Sequence, residues 1–85
     1  MTVEKIRMRL SIIEMSSFTA VITLKSKKIA PIIAKVKDFE YKGGGETKVI
    51  LMRCEETVFP KDTDDNKQDE YIIALKDIKE VGRHE

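Results

Sequence analysis

A chain of 85 residues makes one domain with a modest core, and a hydrophobic share of 41% at a net charge of +1 excludes wholesale disorder. No stretch approaches the about 18 apolar residues that a membrane span requires, and the opening MTVEKIRMRL puts charges where a secretory leader needs an apolar run. A lone cysteine, Cys54, and a lone histidine, His84, exclude an internal disulfide and a Cys/His zinc centre, so a cytoplasmic, membrane-free protein without metal or cofactor is expected.

The first segment fits two templates. Val3, Ile6, Leu10 and Ile13 recur at helical spacing behind a possible N-cap, Thr2. Ile6, Met8, Leu10 and Ile12 also alternate with Lys5, Arg7, Arg9 and Ser11, the period of a half-buried strand. The unbroken alternation favours the strand, with a short helix as the alternative.

Residues 18–25 (FTAVITLK) alternate and are rich in β-branched side chains, which predicts a strand. Ser26, Lys27 and Lys28 mark a turn. Residues 29–41 predict a long bent strand, with Ala30, Ile32, Ala34 and Val36 inward and Lys35 and Lys37 outward. Pro31 donates no ladder hydrogen bond, so it belongs at an edge, a bulge or the strand's first residues. Gly43-Gly44-Gly45 predicts a flexible loop. Residues 47–54 (TKVILMRC) predict a third core strand. Residues 59–69 (FPKDTDDNKQD) read as a long, polar, variable loop with scope for motion. Residues 70–75 and 78–81 predict the last two strands, and the tail GRHE reads as frayed. Period two dominates and no long helix interrupts it. The expected fold is one mainly β domain over 1–85, a small bent barrel of five strands with its core in 18–81.

Catalytic signals are sparse. The glycine triplet runs into Glu46-Thr47-Lys48 and a strand, whereas a phosphate cradle leads into a helix. His84 lies at the chain's end, and Cys54 within an apolar strand reads as a buried, inert thiol. Asp62, Asp64 and Asn66 stand at the first three ligand positions of a calcium loop, but Lys67 and Ile73 occupy its glycine and final carboxylate positions. The expectation is a binding protein, not an enzyme.

Cations supply the better lead. Residues 1–42 carry nine Lys/Arg against four Asp/Glu, and residues 43–85 carry seven against eleven. A basic half attracts nucleic acid, and opposed halves favour head-to-tail self-association. Lys25, Lys27 and Lys28 surround the first turn, Lys42 and Lys48 flank the glycines, and Phe39 and Tyr41 are placed to stack on unpaired bases. The plain alternative puts Phe39 in the core and leaves the lysines as solvated surface.

Residues 18–81 resemble an Sm-like (LSm) domain, on five segments. Val21-Ile22-Thr23-Leu24-Lys25-Ser26 is similar to the family's first strand and turn. Ile32-x-Ala34-x-Val36-x-x-Phe39-Glu40 is similar to its bent second strand, with Ala34 in place of glycine and a preceding turn two residues longer. Residues 49–56 (VILMRCEE) resemble the third strand and its acidic exit, and Tyr71-Ile72-Ile73 with residues 78–81 take the places of the last two. The resemblance implies a bent five-strand barrel. It also implies a ring built by pairing the fourth strand of one subunit with the fifth of the next, and affinity for single-stranded, uridine-rich RNA. Lys48 stands where the family has an RNA-contacting asparagine. Ala74-Leu75-Lys76-Asp77 replaces its Arg-Gly-Asp/Asn-Asn segment, so Asp77 alone matches. Carried over, the nucleic-acid site comprises Tyr41, Lys42, Lys48, Lys76 and Asp77, in a homo-oligomer that prefers RNA to DNA. Two alternatives stand beside it. One is an interaction module with a protein partner and no nucleic-acid affinity. The other is an SH3-like binder of duplex DNA that uses Lys5, Arg7 and Arg9 on one face of a first strand.

Overall fold

The structure, a computed structural model, describes residues 1–42 and 46–84. Gly43-Gly44-Gly45, where the sequence predicts a flexible loop, lies outside the described residues, as does the Lys42 side chain.

The chain is a five-stranded antiparallel sheet behind one helix. Helix α1 spans Val3–Met15, followed by strands β1 (Thr19–Leu24), β2 (Ile32–Lys42), β3 (Glu46–Met52), β4 (Glu70–Ala74) and β5 (Ile78–His84). Strand order is β4-β3-β2-β1-β5. The sheet does not close, and β4 and β5 form its two edges.

The first segment is thus a helix, against the strand that alternation favoured. Thr2 caps it: the Lys5 backbone N–H donates to Thr2 Oγ1 at 3.2 Å, and Glu4 sits in the first turn beside the positive end of the helix dipole. The decision is tertiary. Ile6, Leu10 and Ile13 are buried at helical spacing against β1, β2, β5 and the turn after β4, whereas a strand would have sent Ile13 and Ile6 to opposite faces. The helix ends in a paired cap, Phe18 N–H donating to Ile13 O (3.1 Å) and Ser17 N–H to Glu14 O (3.2 Å). Ser17 takes the left-handed position usually given to glycine, at φ 57°.

Strand β2 pairs on both sides. Its first residues pair with β1 (Ala34 opposite Ala20) and its later ones with β3 (Phe39 opposite Val49). A register shift between Val36 and Asp38 lets one strand serve both neighbours, as β-bulges do. Pro31 stands just before the strand, where its missing N–H costs nothing. The core runs through Ala20, Ile22, Ile32, Ala34, Val49, Leu51, Ile78 and Val81, all at most 1% exposed. Strand β5 extends to His84, which pairs with Thr19, so the described part of the tail is ordered ladder and not frayed chain.

The segment after β3 also departs from expectation. Phe59 is 1% exposed and stacks on Tyr71 with ring centroids 5.4 Å apart, so the supposed loop donates one of the largest core side chains. Arg53 organises what surrounds it. Its Nε donates to Gln68 O (2.7 Å), Nη1 to Thr57 O (3.0 Å) and Nη2 to Asp62 Oδ1 (2.5 Å). Asp62 in turn accepts the backbone N–H of Phe59 (2.8 Å) and of Gln68 (3.1 Å). Cys54 lies just past β3, half-buried, its Sγ 3.1 Å from Thr57 Oγ1.

The Arg53 hydrogen bond, with the backbone donors, lowers the Asp62 pKa to about 2. A folded-state value below the unfolded one means the carboxylate stabilises the loop above the ordinary aspartate range near 3.9 and loses that contribution as pH falls through about 2. In Arg53→Met the Asp62 titration should return towards its ordinary value, and the loop should open at correspondingly higher pH. A carboxyl-carbon NMR titration of the pair reads this, and an unchanged Asp62 midpoint would refute it.

Candidate functional site

The turn after β1, the start of β3 and the 3-10 turn Leu75–Asp77 meet beside the edge of β4. They enclose a cleft of about 500 Å³ whose wall is Leu24, Ile29, Ile72 and Ile73 and whose polar lining includes Lys25, Lys48, Lys76 and Asp77. Each cation comes from a different element. Lys25 follows the last residue of β1, and its backbone N–H donates to Asp77 O at 2.9 Å, which ties the end of β1 to the 3-10 turn. Lys48 is half-buried, opposite Ala74 and Glu40 in the register of β3. Lys76 is exposed and faces Glu46, Nζ to Oε1 3.4 Å. Both partners of that pair are open to water, so it contributes little to stability and leaves Lys76 able to exchange partners.

Of the expected site residues, Lys48, Lys76 and Asp77 therefore come together. Tyr41 does not join them. Its cross-strand partner is Thr47, one residue from Lys48, so ring and lysine project from opposite faces of the sheet. The Tyr41 ring is 63% exposed and lies under the Arg7 guanidinium, 5.3 Å from its centroid, and the same guanidinium lies 5.4 Å from the Phe39 ring. Phe39 packs against the core. Lys42 belongs to β2 by its backbone alone.

Lys25, one of the cations around the first turn, lies outside the carried-over set of site residues. Its position directly after the apolar end of β1 was the available signal, but only the pairing of its backbone with Asp77 sets it beside Lys76. The face of alternating cations expected of a first strand does not exist. Lys5, Arg7 and Arg9 fan around α1, Arg7 over two aromatic rings and Arg9 donating to Val81 O at 3.1 Å. Asp62 is held by Arg53, and among the described residues no three His, Cys, Asp or Glu side chains group as a metal site requires. Nor is any described helix long and apolar enough to cross a membrane.

Comparison with protein-family models, with curated proteins and with solved structures returns no significant match. The functional reading rests on the cleft and the sheet.

Proposed function

We propose that this chain is a non-enzymatic, Sm-like nucleic-acid-binding module that works as a cytoplasmic oligomer and takes single-stranded RNA along the cleft beside β4. The observation that carries this reading is the convergence of Lys25, Lys48 and Lys76, from three separate elements, on one open cleft with an apolar wall. Lysines there would displace counterions from phosphates, and the exposed Ile72 offers apolar surface to unstacked bases. Duplex DNA hides its base faces and profits less from such a wall. Sheet order supports the oligomer: the two unpaired edges, β4 and β5, are the strands that the Sm-like resemblance would join between subunits.

Three cations correspond to about three phosphate contacts for each copy, so the slope of log affinity against log salt should be roughly −2. Between about 50 and 200 mM salt, affinity for a labelled oligo-uridine should fall roughly 20-fold. The double variant Lys48→Gln, Lys76→Gln should flatten that slope by more than half, with unchanged thermal stability. Absence of binding to oligo-uridine and to duplex DNA at low salt would sink the nucleic-acid reading. Glu46, already paired with Lys76, favours one second reading in that event: an assembly module whose free edges find protein partners.

A further inference from the structure

The outer face of α1 carries an exposed apolar stripe. Met8, Ile12 and Met15 are 63%, 56% and 81% exposed. At 3.6 residues per turn these positions share one side of the helix, opposite the buried Ile6, Leu10 and Ile13. Met8 and Met15 stand one heptad apart on this face, with Ile12 between them. Methionine is flexible and polarisable, suited to surfaces that repack against a partner, and contiguous exposed apolar surface marks interaction sites.

We infer that this stripe docks against α1 of a second copy, the two helices lying parallel and in register. Flanking charge selects the occupant and its direction. On the helical wheel Glu4 borders one side of the stripe and Lys5 and Arg9 border the other. A two-fold antiparallel pair sets each flank against itself, so that Lys5 and Arg9 meet only the basic flank of the other copy. A two-fold parallel pair sets Glu4 of one copy against Lys5 of the other on both sides, with Met8 facing Met8 and Met15 facing Met15. Thirteen residues make a helix of about 20 Å, too short to bury the roughly 800 Å² from each partner found in stable complexes. One such contact is weak by itself. It gains strength where several copies present their helices together, as an edge-paired oligomer would. The pairing uses neither the cleft nor the strand edges, and disulfide trapping reads it whether or not nucleic acid binds.

Disulfide trapping tests it. In a Cys54→Ser background, Met8→Cys and Met15→Cys should each give covalent dimers under mild oxidation, at least about tenfold faster than an exposed control, Thr63→Cys. Dimerisation no faster than the control, or preferential linkage of Met8→Cys to Met15→Cys in a mixture, would overturn the inference. As a second measurement, Met8→Lys with Met15→Lys, both exposed and tolerable to the fold, should abolish helix pairing in sedimentation while oligo-uridine binding persists. If the stripe instead carries the protein onto phosphatidylglycerol vesicles, and the lysine variant loses that binding with no change in self-association, its occupant is lipid and the inference fails.

Discussion

Replacing Phe59 by alanine is expected to lower the unfolding free energy by about 3–5 kcal/mol, the usual range for deleting a fully buried phenylalanine. Phe59 is 1% exposed, its ring stacks on Tyr71, and the Arg53 guanidinium lies 5.0 Å from its centroid. Alanine would leave a cavity between the long connection and β4 and strip the apolar ring from under Arg53. For a domain this small, each kcal/mol moves the melting temperature by about 4–8 °C, so the midpoint should fall by at least about 12 °C. Urea unfolding with an unchanged m-value would show that native-state packing is responsible. The adjacent Val58 is 73% exposed, and Val58→Ala should stay within about 0.5 kcal/mol. A loss below about 1 kcal/mol for Phe59→Ala would mean that the connection contributes nothing to the core.

Leu10→Ala should cost about 2–5 kcal/mol, because Leu10 is fully buried at the centre of the α1 face that rests on the sheet. The effect separates the two readings of the N-terminal segment. On an isolated strand face, Leu10 and Ile12 would share one environment and respond alike. On α1 they lie on different sides, 0% and 56% exposed, so Ile12→Ala should remain within about 0.5 kcal/mol while Leu10→Ala destabilises several-fold more. Equal losses at the two positions would contradict the helix. Amide exchange gives the companion result. Protection across α1 should fall in Leu10→Ala before protection in β2 and β3, because caps at its two ends do not replace the packing that holds the helix to the sheet.

The carried-over site was only partly legible before the fold was known. Lys48, Lys76 and Asp77 enter the carried-over set by the resemblance, and the pairing of β3 with β4 together with the 3-10 turn brings them to one cleft. Tyr41 looked equally placed by sequence distance from Lys48, yet the pleat puts the two on opposite faces. Arg53 had no signal: a cation next to Cys54 in a strand-like run gives no hint that it will accept the burden of three hydrogen bonds inside the following connection. In the same way, Phe59 was read with the polar residues after it, and a lone aromatic carries no period by which to place it.

What the sequence alone determined is the β character of the chain. In β1 and β3 the apolar residues Ala20, Ile22, Leu24, Val49 and Leu51 recur at every second position and are the buried ones, since one face meets a core and the pleat has a period of two. Tertiary structure decided the rest. Residues 3–15 satisfy both periods, and only the shape of the surface beneath Ile6, Leu10 and Ile13 selects the helix. The cleft likewise unites side chains about 50 residues apart in the chain, which local pattern does not encode because backbone ladders and burial, not neighbours in sequence, set their positions.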